Sequence, residues 1–114
     1  AERGFDVYMT SDHGNLESNG VGMIREGVLA ETKGQRVRTY SSKALRDSTL
    51  EQFQNRCIAW DSTTLPEGYE VVLAEGCGAF TKQGSRVIAH GSASLDEVIV
   101  PFIHVLRKKN EQET

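Results

Sequence analysis

Asp12 and His13 stand side by side in Thr10-Ser11-Asp12-His13-Gly14-Asn15, directly after the strand-forming stretch Phe5–Met9. A carboxylate oxygen and an imidazole nitrogen form a donor set suited to zinc, manganese or iron. Adjacent side chains on a regular strand point to opposite faces, but a turn at Gly14 can swing both toward one ion. Alone, the pair reads better as an Asp capping a turn beside an exposed His. His90-Gly91-Ser92-Ala93-Ser94 repeats the placement, with a His beside a Gly after a strand and before a helix start. Two of the three histidines thus occupy Gly-flanked strand ends. Taken by itself, His90 reads equally well as a ligand or a loop residue. The third, His104, lies in an apolar stretch and reads as a structural histidine.

The elements that would position these groups follow from pattern. Phe5–Thr10 is rich in strand formers, which predicts a strand ending near Thr10. Residues 14–34 contain five of the eleven glycines and read as a long loop with a short strand near Val28-Leu29. In that loop, Gly20-x-Gly22 lacks the Gly-Lys-Ser/Thr of a phosphate-binding loop and reads as a flexible connection. Gln35–Tyr40 predicts a strand with Arg36, Arg38 and Tyr40 on one face and Val37 on the other. Ser41 or Ser42 can cap a short helix Lys43–Asp47, and Ser48 a second one to about Arg56. Cys57–Trp60 reads as a strand closed by the turn Asp61–Gly68. Further strands are expected at Glu70–Ala74, Ala79–Thr81 and Arg86–Ala89.

Ser94-Leu95-Asp96-Glu97 is a capping box, which predicts one or two helical turns. Val98–Leu106 reads as a strand buried on both faces, with Pro101 arguing that the strand begins after it or lies at an edge. Strands and short helices alternate, so the class is α/β or α+β. The chain reads as one domain over 1–106 followed by a polar tail, 107–114.

Composition limits the function classes. Hydrophobic residues make up 38% of the 114 and charged residues 25%, an ordinary globular balance. No apolar run is long enough for a membrane span and the first residues do not read as a secretory signal, so a cytoplasmic setting is expected. Cys57 and Cys77 are too few and too far apart for a disulfide framework or a zinc knuckle. Cys57 is expected to be buried and inert, Cys77 more accessible. The net charge of −3 argues against steering onto nucleic acid. A local exception is Lys33–Arg46, with five basic residues and no acid. There the Arg36/Arg38 face could contact phosphate, although a solvated sheet face is the plainer reading. Glu26 and Glu31 read as packing or loop residues rather than acid–base groups, and Trp60 and Phe80 as core.

Val7-Tyr8-Met9-Thr10-Ser11-Asp12-His13-Gly14-Asn15 resembles the alkaline phosphatase superfamily motif in which an Asp-His pair binds one metal of a two-metal centre. His90 to Pro101 resembles that superfamily's closing segment, whose His binds the other metal. The spelling is most similar to the PglZ domain of bacterial phage-exclusion proteins, and more loosely to cofactor-independent phosphoglycerate mutases. Glu26–Glu31, Arg36–Tyr40, Trp60 with Leu65-Pro66, and Leu73-Ala74 before Ala79-Phe80 carry further PglZ-like features. The resemblance spans roughly residues 5–106.

It implies an alkaline-phosphatase-like α/β fold, of which this chain is the C-terminal portion, with a mixed sheet of five to seven strands and short helices. It implies two divalent ions, zinc or manganese, in the complete domain: Asp12 and His13 ligating one and His90 the other. The substrate class implied is a phosphate ester. The superfamily's Thr or Ser nucleophile, a nearby Asp and a further Asp and His have no match here, because only eleven residues precede Asp12 and neither Thr10 nor Ser11 fits the nucleophile's motif. The chain is therefore expected to be inactive alone and to hold metal poorly or not at all. It is either an excised portion or a naturally short relative. The alternative is a non-catalytic module docking on other phage-defence proteins, with the Arg36/Arg38 face as a contact. A half-domain is also expected to expose apolar surface, which favours self-association.

Overall fold

The computed structural model describes residues 3–24 and 31–108, and for 31–33 the backbone alone. The expected strand near Val28-Leu29, together with Glu26 and the side chain of Glu31, lies outside the described residues. Among those described, nine short strands, two α-helices and one 3-10 helix form a mixed α/β molecule, with the strands divided among sheets of two, three and four rather than joined in one sheet of five to seven. In chain order the strands and α-helices are β1 Val7–Thr10, β2 Leu16–Gly20, β3 Glu31–Gly34, β4 Val37–Tyr40, α1 Lys43–Gln52, β5 Cys57–Ala59, β6 Glu70–Ala74, β7 Gly78–Ala79, β8 Arg86–Ala89, α2 Leu95–Val98 and β9 Phe102–Val105.

The core belongs to a four-stranded sheet of order β3-β4-β6-β5, all of its pairs antiparallel. Tyr40, Phe53, Cys57, Val72, Ala74 and Phe80 are buried together, with Leu45 and Leu50 of α1 packed against them. Phe53 and Phe80 meet at 5.4 Å between ring centroids, tilted by 59°. The Tyr40 hydroxyl and Thr49 Oγ1 satisfy each other at 2.5 Å inside this core. Lys43–Gln52 forms one helix rather than two. Ser42 caps it by accepting from the Leu45 amide at 3.3 Å, and Ser48, where a second start was expected, lies inside it.

Two expectations fail for a common reason. Leu16–Gly20, placed in a loop, is a strand because β8 pairs with it antiparallel and β7 parallel. The same pairing makes Gly20 part of a strand rather than a flexible connection. A Cβ there would lie well inside contact distance of the Lys82 carbonyl. In the other direction, the Arg36/Arg38 face is not solvated. Arg36 is 1% exposed and Arg38 7%, with Arg38 donating to the carbonyls of Gly34, Val37 and Phe80 and lying over the Phe80 ring. A guanidinium with five donors can be turned inward when backbone carbonyls receive it. That face offers no surface to nucleic acid or to a docking protein.

The strand pair β1–β9 stands apart from this core. Val7, Tyr8, Met9 and Thr10 pair with Val105, His104, Ile103 and Phe102. The strand does begin after Pro101, but it is exposed along its whole length, not buried on both faces. One face stacks Tyr8 on Phe102 at 5.4 Å and on His104 at 4.5 Å. The other carries Met9 and Ile103. His104 is thus an exposed member of an aromatic ladder instead of an enclosed structural residue. Trp60 is also 43% exposed, not core, and donates to Thr64 Oγ1.

The cysteines divide as expected, with Cys57 buried and Cys77 exposed, both free. Burial, helped by Glu75, pushes the Cys57 thiol up to about 11. Iodoacetamide at about pH 8 is expected to alkylate Cys77 and spare Cys57 until the chain is unfolded, because the thiolate is the nucleophile. Mass-spectrometric mapping reads this out. Equal labelling of both in the folded protein would show that the β5–β6 core opens readily.

Candidate functional site

The two histidine loops meet. β1 ends at Thr10, and the chain passes through Asp12 and His13 before Gly14 donates its amide to the Glu97 carbonyl at 2.7 Å. β8 ends at Ala89, and His90 follows directly. The rings of His13 and His90 stack at 3.8 Å between centroids, 13° from parallel. His13 Nδ1 lies 2.7 Å from the Gly14 carbonyl. A carbonyl can only accept, so Nδ1 carries the hydrogen, and in the neutral ring Nε2 presents its lone pair. That Nε2 lies 3.6 Å from Asp12 Oδ1. An imidazole nitrogen and a carboxylate oxygen at that distance form an ion pair when the ring is protonated and, when it is neutral, a donor pair for a metal cation.

The fit to a divalent transition metal is therefore one of donor chemistry. An imidazole nitrogen oriented by a backbone carbonyl and a neighbouring carboxylate is a usual ligand arrangement. The set is partial. Among the described residues no three His, Cys, Asp or Glu side chains gather into one metal-holding group. The nearby hydroxyls are occupied with backbone: Thr10 Oγ1 donates to the Pro101 carbonyl at 2.7 Å and Ser11 Oγ to the His13 carbonyl at 2.6 Å.

Glycines permit the close approach. Gly91 sits at φ +114°, and a Cβ on it would come 2.6 Å from Val37 Cγ1. At Gly34 a Cβ would reach 2.5 Å from the His90 carbonyl and 3.3 Å from its ring. The end of β3 therefore packs directly on His90.

Behind the histidines lies the feature that sequence reading did not find. Arg36 Nε donates to Glu97 Oε1 at 2.6 Å, with both side chains 1% exposed. Arg36 Nη1 also donates to the Gly78 carbonyl at 2.6 Å. The Glu97 carboxylate further accepts from the amides of Ser92 and Ser94, each at 3.1 Å, and from Ser94 Oγ at 2.6 Å. Burial by itself raises the Glu97 carboxyl, but the hydrogen bonds from Arg36, Ser94 and the Ser92 and Ser94 amides outweigh it and hold the group below its ordinary value. The capping box expected at Ser94 is present at the start of α2. Its Glu does more than cap. The sequence signal available was Arg36 itself, a cation between strand residues that needs a buried anion.

This architecture, a mixed α/β molecule bringing an Asp-His loop against a His-Gly loop, is compatible with an alkaline-phosphatase-like domain. The family model described as the BREX system PglZ alkaline phosphatase-like domain matches residues 1–105, and the chain belongs to the PglZ family. No curated protein and no solved structure matches it. No helix among the described residues is long and apolar enough to cross a membrane.

Proposed function

We propose that this chain supplies the metal-holding part of a two-metal phosphoesterase site, with Asp12 and His13 on one divalent ion and His90 on the second. The observation that carries the reading is the contact between the two histidine rings, since loops far apart in sequence have no packing need to stack polar rings half open to water. Zinc or manganese bound there would supply Lewis acidity toward a phosphoryl oxygen and a frame for in-line displacement at phosphorus. The chain's own residues present the donors: His13 offers Nε2 because Nδ1 is committed to Gly14, and Asp12, almost fully exposed, brings the negative charge.

Neither Thr10 nor Ser11 is set up as a nucleophile, and in this reading that group and the remaining ligands belong to another part of a complete domain, with this chain its C-terminal portion. The β1–β9 pair is the natural joining surface, because it exposes Tyr8 and Phe102 on one face and Met9 and Ile103 on the other. The second reading, a non-catalytic module bound to other phage-defence proteins or to a second copy, would use the same ribbon and not the inward-turned Arg36/Arg38 face. The sequence encoded upstream separates the two. A strand followed by Thr or Ser, with an Asp nearby, supports the enzyme.

Turnover tests it directly. The protein carrying this chain with its complete domain is expected to hydrolyse p-nitrophenyl phosphate or its diester only with a divalent metal added. Asp12→Ala should lower the rate by at least about a hundredfold. The 114-residue chain by itself is expected to be silent. Turnover by it alone, lost in Asp12→Ala, would overturn the claim that the nucleophile lies elsewhere.

A further inference from the structure

One residue touches both histidine loops and the core beneath them. The Glu97 backbone carbonyl accepts from Gly14, the residue after His13. Its carboxylate accepts from the Ser92 amide, two residues after His90, and from Ser94. Its remaining partner is Arg36, whose own amide donates to the His90 carbonyl at 3.3 Å. Ser92 Oγ completes the ring of contacts by donating to the Ala74 carbonyl at the end of β6. Glu97 and Arg36 thus link the two loops to each other and to the end of β6, alongside the β2–β8 pairing that sets Leu16 opposite Ala89.

We infer that Glu97, held by Arg36, is the positioning residue that sets the His13–His90 spacing and so the spacing of the two metal half-sites; this rests on the function proposed above. Glu97 is not a ligand itself. Its carboxylate has no free edge toward the histidines, because its two oxygens are taken by Arg36, two amides and one hydroxyl. An ion pair buried this deeply is no sure gain in stability over an apolar pair of like volume. Its use here is directional: a charged group that accepts several donors at once fixes two loops whose own sequences, rich in Gly and Ser, would leave them loose.

The test separates positioning from stability. The variants are Glu97→Asp, which keeps the charge but is one methylene too short to reach Arg36 and both amides, and the double variant Arg36→Met/Glu97→Leu, which removes both charges together. Each is measured for melting temperature, for nuclear Overhauser contacts between the imidazole protons of His13 and His90 in histidine-labelled chain, and for zinc affinity by titration of the protein that carries the complete domain. The double variant is expected to melt close to wild type and well above Arg36→Met alone. In both variants the His13–His90 contact should vanish and zinc affinity should fall about 10–100-fold, the range seen when a group behind a metal ligand is lost.

A folded variant of either kind that keeps the contact and the wild-type affinity overturns the inference, leaving Glu97 a purely structural residue. Should the double variant fail to fold, Glu97→Asp decides alone. A wild-type protein with the complete domain that shows the ring contact but binds no zinc contradicts the proposed function, while the loss or retention of the contact in Glu97→Asp still decides the positioning role.

Discussion

Arg36→Met is expected to destabilise the chain by about 3–5 kcal/mol, the usual cost of removing one partner from a buried ion pair. The reason is what it leaves behind. Glu97 would keep a full charge at 1% exposure, with three hydrogen-bond donors but no cation. Against a total stability of roughly 5–15 kcal/mol for a domain, such a loss brings the chain near its unfolding threshold. Urea denaturation with the slope compared to wild type measures it. A loss below about 1 kcal/mol would mean that water reaches the pair and that it behaves as a surface contact.

The pH dependence has a definite sign. The Glu97 carboxyl is held below its ordinary value near 4.5, so its contribution is complete above that pH and is lost as pH falls through the lower folded value. Arg36→Met should therefore narrow the gap to wild type in acid, where Glu97 is protonated in both.

Gly14→Ala is the second large effect. A Cβ at this position would fall well inside contact distance of the Asp96 carbonyl oxygen and 2.9 Å from its carbon. The obstacle is backbone, held by the Gly14–Glu97 hydrogen bond of 2.7 Å, so it cannot swing aside as a side chain would. Overpacking of this kind costs about 1–3 kcal/mol, and the upper end is expected here. The His13–His90 contact should be lost with it, because the Asp12-His13 loop must retreat from α2. A melting temperature within a degree of wild type, with the histidine contact intact, would show that the loop and helix are not clamped together.

What was legible in the sequence was local. β1, β6 and β8 follow from short runs of strand formers, and the capping box at Ser94 marks α2 because its signal lies within four residues. The conjunction of Asp12-His13 with His90 was legible through the resemblance, and in the structure these loops do meet. The larger failures are non-local. Leu-Glu-Ser-Asn-Gly has no strand preference of its own and becomes β2 because β7 and β8 lie on either side of it. Arg36 alternates with Val37 as a solvated face would, and Glu97 and the Gly78 carbonyl, far along the chain, turn it inward. Val98–Leu106 has the composition of a buried strand, but composition states only what a segment needs. Among the described residues nothing covers the faces of β9, so it stays open.

Asp12 with His13, and His90 separately, are proposed to hold one divalent ion each. Metal analysis of the intact protein that carries this chain, wild type beside Asp12→Ala and His90→Ala, tests that most directly. The expected result is two divalent ions per molecule in wild type and one in each variant. Unchanged metal content in both variants would contradict it, and so would a wild-type protein that takes up no divalent ion at all.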